Sequence, residues 1–211
     1  MKNIITIIDY GLNNIQSVIQ AFNYIGVDTI VANSPTMLEK ATHIVLPGVG
    51  AFPEGMKQIK NLGLDKIIKL KVKQKTKLIG ICLGMQMLFT KSYEFSVCEG
   101  LNLIPGDVVP IQKKNSYHDR VPVIGWRKTI SLKNDHSNIL QNLIHNKSFY
   151  YLHSYQVIPE KNNNLVAYYN REEDVINAGV SYQNIWGVQF HPEKSGEIGL
   201  SILKAFSELS P

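Results

Sequence analysis

The stretch GICLG, residues 80–84, holds a cysteine two positions from a glycine on either side. This is the spacing of the G-x-S-x-G elbow, where glycines permit a sharp strand-to-helix turn that a Cβ would obstruct, and the central side chain is held out at the turn. A lone cysteine behind an apolar strand ordinarily fills space; its neighbours are what make Cys82 a candidate nucleophile. At the start of a helix beginning near Leu83, its sulfur meets unpaired N–H groups and the positive end of the helix dipole, both of which favour an anion. Such a sulfur needs a proton shuttle, and VQFHPEKSG near the C-terminus offers His191 with Glu193 two residues on. In an extended chain those two face the same side. Glu193 can then hold the imidazole in one tautomer while the other ring nitrogen faces Cys82, the logic of nucleophile, base and orienter. Acyl chemistry also needs donors for a developing oxyanion. The N–H of Leu83 and the glycine-rich turn PGVG at 47–50 are the candidates.

The elements that position these residues follow from hydrophobic periodicity. IITIIDY reads as a buried strand; Ile15, Val18, Ile19, Phe22 and Ile25 follow at helical spacing, and Gly26 is a stop signal. VDTIVA gives a second strand, Ser34 and Pro35 an N-cap and first-turn pair, and HIVLPGVG a third strand ending in the glycine turn. Residues 53–75 read as helical, KLIGI as a fourth buried strand, and MQMLF as the start of another helix. This alternation predicts an α/β fold with a parallel sheet covered on both faces. In open sheets of that kind the carboxyl ends of neighbouring strands form the ligand crevice, so PGVG and GICLG can face one another. Past residue 100 the runs DVVPI, RVPVIGW, SFYYLHSYQVI, LVAYY and WGVQF predict an antiparallel or mixed extension. EIGLSILKAFSEL then spaces Ile198, Ile202, Leu203, Phe206 and Leu209 as one apolar helical face. No repeat or linker interrupts the chain, and one domain over residues 1–211 is expected.

Composition excludes several classes. The surplus of 22 Lys and Arg over 17 Asp and Glu is mild and forms no Arg-rich or aromatic-interleaved stripe, so no nucleic acid is expected. No apolar run is long enough to span a bilayer, no signal-peptide pattern follows Met1 and Lys2, and a cytoplasmic setting is expected. Cys82 and Cys98 make no C-x-x-C pair and no histidines have zinc-finger spacing, so no metal is expected. DYGLNN lacks the three glycines of a dinucleotide fingerprint, and no cofactor is expected. Cys98 lies in the polar stretch SVCEG without an elbow or acid–base partner, and His43, His118, His136 and His145 default to surface roles.

Through GICLGMQ and FHPE the chain resembles the class I, triad-type glutamine amidotransferases. Through IIDYGLNNIQSV, LPGVGAFPEGM, GICLGMQMLF, GWRK, YYLHSY and WGVQFHPEKSG it resembles, more narrowly, the glutaminase subunits of imidazole glycerol phosphate synthases along nearly its whole length. The resemblance implies a flavodoxin-like central sheet flanked by helices and a cysteinyl thioester mechanism on L-glutamine. In it Cys82 attacks the side-chain amide, His191 protonates the departing ammonia and activates water, and Glu193 orients His191. It further implies that Val49 and Leu83 supply oxyanion amides, and that Gly50, Gln86 and the backbone around His153, Ser154 and Tyr155 hold the glutamine. The implied partner is a (βα)8-barrel synthase subunit, joined as a heterodimer, which receives the ammonia and forms imidazole glycerol phosphate and AICAR in histidine biosynthesis. The implied contact positions are Pro122, Ile124, Trp126, Tyr151 and Lys194. Val123 stands where histidine is usual and Arg127 where asparagine is usual, both within the expected contact. A second reading is therefore kept, in which the same glutaminase chemistry supplies nitrogen for amidino sugars of surface polysaccharides. A stand-alone cysteine hydrolase and a noncatalytic binding module are the alternatives of other classes.

Overall fold

The computed structural model describes residues 3–112, 120–132, 139–172 and 174–210; His118 and His136 lie outside the described residues. The first half alternates strand and helix: β1 (Ile5–Ile8), α1 (Ile15–Tyr24), β2 (Thr29–Ala32), α2 (Pro35–Leu38), β3 (His43–Gly48), α3 (Phe52–Asn61), α4 (Leu64–Lys73), β4 (Lys77–Cys82) and α5 (Leu83–Met87). The second half adds β5 (Phe89–Ser92), β6 (Cys98–Glu99), β7 (Ile104–Pro110), β8 (Val123–Ser131), α6 (Ile139–Ile144), β9 (Lys147–His153), β10 (Tyr155–Pro159), β11 (Leu165–Arg171), β12 (Asp174–Tyr182), β13 (Ile185–Val188) and α7 (Gly196–Ser207).

Among the described residues the main sheet has nine strands in the order β2-β1-β3-β4-β13-β12-β11-β8-β9. Its first five are mutually parallel, in the 2-1-3-4-5 arrangement of flavodoxin-like folds. From β13 outward, β12, β11, β8 and β9 pair antiparallel, the extension expected from the shorter runs. A second, four-stranded sheet runs β10-β7-β5-β6.

Period-two alternation sorts the parallel strands' side chains between two cores. Ile5, Ile7, Val45, Ile79, Ile81 and Val188 pack with Val18 and Phe22 of α1 and Ile202, Leu203 and Phe206 of α7. On the other face Ile8, Ile44, Leu46 and Leu78 pack with Phe52, Met56 and Ile59 of α3, Leu64 and Ile68 of α4, and Met85 of α5.

Three expectations about elements are corrected. The helical stretch 53–75 is two helices, because Gly63 takes a left-handed backbone at φ 67° and turns the chain between α3 and α4. The helix begun by MQMLF stops at Met87, and Phe89 opens β5. The run SFYYLHSYQVI is two strands parted at Ser154: β9 ends the large sheet and β10 enters the small one.

Candidate active site

The elbow is a steric necessity. A Cβ on Gly84 would run into the Leu46 carbonyl, and one on Gly80 would meet the backbone of Gly84 and Met85. Between them Cys82 adopts φ 54° and ψ −112°, a backbone that a side chain resists, and serves as the N-cap of α5. Pairing of Gly48 with Cys82 sets the PGVG turn beside the sulfur, at the carboxyl ends of β3 and β4. The thiol reaches the Leu152 carbonyl at 3.7 Å and accepts from Gln189 Nε2 at 3.6 Å.

Beyond β13 the chain carries His191 to the same crevice. Its N–H donates to the Tyr150 carbonyl at 2.9 Å, and Ser195 Oγ donates to its carbonyl at 2.6 Å while accepting the Tyr150 N–H at 3.0 Å. Nδ1 lies 2.8 Å from Glu193 Oε1, with both side chains buried. An ionised carboxylate only accepts, so Nδ1 carries the proton and Nε2 is left for Cys82. The route to this contact differs from expectation. Residues Pro192–Lys194 form a 3-10 turn, and Glu193 folds back onto the ring instead of lying beside it on an extended strand. Nε2 has no hydrogen-bond partner among the described residues. Burial pushes the pKa of His191 down, but charge from Cys82 and the hydrogen bond and charge of Glu193 outweigh it and lift the value to about 10. The ring therefore holds a proton ready to deliver toward the sulfur's side of the cleft.

A cleft of about 190 Å³ opens over these groups, small beside typical ligand pockets of ~300–1,000 Å³. Its wall brings together Cys82, Leu83 and His191 with Val49, Gly50 and Gln86, and with His153, Ser154 and Tyr155. Glu193 stands behind His191. Gln86 Nε2 donates to the Tyr155 carbonyl at 3.3 Å and to Gln189 Oε1 at 3.0 Å. The His153 ring holds the backbone from beneath: Nδ1 donates to the Tyr155 carbonyl at 2.8 Å and Nε2 accepts from Tyr169 Oη at 2.9 Å. Burial, aided by the positive charges of His191, Arg171 and Arg127 and opposed by the Tyr155 hydrogen bond, lowers its pKa to about 4, so it stays neutral.

The two expected oxyanion donors differ. Leu83 opens α5, so its N–H has no acceptor within the helix. The Val49 N–H is already given to the Leu12 carbonyl at 3.1 Å, and an oxyanion role requires this bond to break. Two polar groups at the site escaped the sequence reading. Glu94 lines the cleft, its pKa raised by burial against the opposing Phe52 N–H at 2.7 Å, and presents a carboxylate suited to an α-ammonium group. Gln189 is fully buried beside the sulfur. Glu94 sits in an ordinary polar loop in the sequence, whereas Gln189 could have been noticed as an amide inside an otherwise apolar strand pattern.

The expected partner face is only partly on the surface. Ile124 and Trp126 are each 54% exposed, Leu152 joins them at 40%, and Lys194 is exposed. Pro122 is exposed at the cleft's rim. Tyr151 is the correction: it is 0% exposed, bonded through Oη to Thr129 Oγ1 at 2.7 Å and packed on Tyr169 and Phe190. Alternation along β9 turns it inward and leaves Tyr150 and Leu152 outward. Val123 is likewise buried at 2%. Arg127 is half-buried on the side of β8 opposite Trp126, and its guanidinium donates to the Trp126 carbonyl at 3.0 Å.

The chain is similar to known proteins along nearly its whole length. A family model described as glutamine amidotransferase class-I matches residues 6–208. The chain is 43% identical over 204 residues to imidazole glycerol phosphate synthase subunit HisH 2 of Methanococcus maripaludis, covering 96% of this chain and 98% of that one. It is 41% identical over 209 residues to the HisH subunit of Lactococcus lactis, covering 99% of each. Among solved structures, PurLQS from Thermotoga maritima contains a chain that superposes with a TM-score of 0.72 at 19% identity, covering 98% of both, a likeness of fold. With a family model over residues 6–208 and relatives 41–43% identical over nearly their whole length, the chain belongs to the class I glutamine amidotransferases.

Proposed function

We infer that this chain is the glutaminase subunit of an imidazole glycerol phosphate synthase, a single domain over residues 1–211 acting in the cytoplasm on L-glutamine. The observation that carries the reading is the Glu193-bound, proton-bearing His191 facing Cys82 in a cleft of amino-acid size. The Cys82 sulfur attacks the side-chain carbonyl carbon of glutamine, and the oxygen takes the negative charge, stabilised by the Leu83 N–H and, once released from Leu12, by that of Val49. His191 Nε2 delivers its proton to the leaving nitrogen, ammonia departs, and a thioester remains. A water then gives a proton to Nε2 as its oxygen attacks the thioester carbon; the C–S bond breaks, and glutamate leaves. Glu193 keeps the ring in the working tautomer throughout. Gly50, Gln86, Glu94 and the 153–155 backbone hold the substrate's amino-acid end.

The ammonia is destined for a (βα)8-barrel synthase partner seated on the face formed by Ile124, Trp126, Leu152 and Lys194. A water-shielded passage suits this product, because ammonia in neutral water is mostly protonated and loses its lone pair. The amidino-sugar alternative had rested on Val123 and Arg127, and both lie on the inward side of β8, away from that face. Incubation with a glutamine-like diazoketone should label Cys82, and the complex with the synthase subunit should pass nitrogen from glutamine to the phosphoribosyl-carboxamide substrate. An unlabelled Cys82 in folded, partner-bound protein would refute the glutaminase reading, and labelling with transfer only to a sugar acceptor would refute the histidine-pathway assignment.

A further inference from the structure

Gln189 is an uncharged amide with no access to solvent, held by its own N–H on the Ala178 carbonyl at 2.9 Å. Its side chain bridges two groups of the site: Oε1 accepts from Gln86 Nε2 at 3.0 Å, and Nε2 points to Cys82 Sγ at 3.6 Å. Which end of a carboxamide is nitrogen must be inferred from its surroundings, and here a fixed reference exists. The Tyr155 carbonyl can only accept, and it receives both His153 Nδ1 and Gln86 Nε2. Gln86 therefore shows its NH₂ on that side, and the second hydrogen of that group goes to Gln189. Gln189 must then present oxygen to Gln86 and nitrogen to the sulfur. Reversing Gln86 would set its oxygen against the Tyr155 and Gln189 oxygens, and reversing Gln189 would set NH₂ against NH₂; either leaves an unmatched polar pair in a buried place.

We propose that Gln189 is a further catalytic residue of the glutaminase, a hydrogen-bond donor to the Cys82 sulfur whose orientation is set by Gln86 in the wall of the glutamine cleft. The proposal rests on the glutaminase reading and deepens it. The sulfur lies between a backbone acceptor, the Leu152 carbonyl, which suits the S–H form, and this donor, which suits the anion. The donor acts at two moments: before attack, when the sulfur must be an anion, and at thioester breakdown, when the C–S bonding pair returns to sulfur as the acyl group leaves with water's oxygen. The other titratable groups near the sulfur are His191, with Glu193 behind it, and Tyr10 just after β1, a phenol that burial keeps neutral.

The test uses the full chain bound to its synthase subunit, with Cys98→Ser throughout and alkylation followed by mass spectrometry on the peptide that carries Cys82. The pH dependence of iodoacetamide alkylation of Cys82 is compared between Gln189 and Gln189→Met, which keeps the length and removes the donor. The midpoint should rise by about one pH unit, so that the rate at any pH below both midpoints falls about tenfold. Glutaminase kcat should fall by a similar factor with the KM for glutamine little changed. A merely structural role would lower thermal stability and leave the midpoint where it was, and that outcome overturns the proposal. Should Gln189→Met fail to fold, Gln86→Met decides the matter: it leaves Gln189 in place but frees it to turn over, and an unchanged midpoint there is equally fatal. Loss of glutamine hydrolysis in the unsubstituted complex, with the alkylation difference intact, would instead count against the glutaminase reading alone.

Discussion

Cys82 combines a reactive side chain with a backbone at φ 54° and ψ −112° that glycine tolerates and other residues do not. The chemistry and the strain can be separated by substitution. Cys82→Ala removes acyl-enzyme formation but keeps the strained backbone, whereas Cys82→Gly removes both. The glycine variant is expected to be more stable than the alanine variant by about 1 kcal/mol, read from urea denaturation of the two inactive proteins. Cys82, His191 and Glu193 were legible in the sequence because each sits in a short motif whose spacing already implies a local geometry. Glu94 was not, and Gln189 offered only an amide in an apolar strand pattern, because their partners, the Phe52 amide and the Cys82 sulfur, become neighbours only through the fold. Tyr151 was misread as a contact residue because which side of a strand faces out depends on what covers the other side, and β9 carries aromatic residues on both.

Strands and helices were predictable where they were long and buried, as in β1, β3 and β4, and less so where one residue redirects the chain. Gly63 splits a helical pattern that looks continuous, and Ser154 divides a run of β-formers between two sheets. In the proposed mechanism the turn at PGVG must leave its resting state, since the Val49 amide is tied to Leu12. The isolated chain should therefore turn glutamine over slowly. Hydrogen exchange should find the Val49 amide protected in the free chain and exposed once partner, partner ligand and glutamine are all bound; equal exchange in both states would contradict this. His153 couples the end of β9 to β11 through Tyr169, and its folded-state pKa of about 4 lies below the ordinary histidine value. The unfolded chain thus takes up a proton that the folded chain refuses. This share of stability is complete above about pH 6.5, shrinks as pH falls, and is gone near pH 4, a total of roughly 3 kcal/mol. Urea titrations at pH 7.5 and 4.5 should show wild type losing more stability on acidification than His153→Gln. His43, which β3 buries against Phe206 instead of leaving it at the expected surface, also has its pKa lowered by burial; it is present in both proteins and cancels.

For the whole molecule, the parallel half of the sheet gathers Cys82 and the PGVG turn at one end of its strands, and the antiparallel half carries the proposed partner face. Trp126, whose ring meets Tyr150 edge to face at 6.2 Å, stands at the centre of that face, and tryptophans so placed dominate interface energetics. Trp126→Ala should weaken association with the synthase subunit by at least about tenfold, measured by titration calorimetry. Diazoketone labelling of Cys82 should persist in the variant, because the ring lies outside the cleft. β8 and β9 close one margin of the large sheet, and Ile124, Trp126 and Leu152 face outward there. Copies made in excess of the synthase subunit would meet each other through this greasy margin and clump. A surplus of this polypeptide over the proposed partner should therefore be found in aggregates that dissolve when the partner is added.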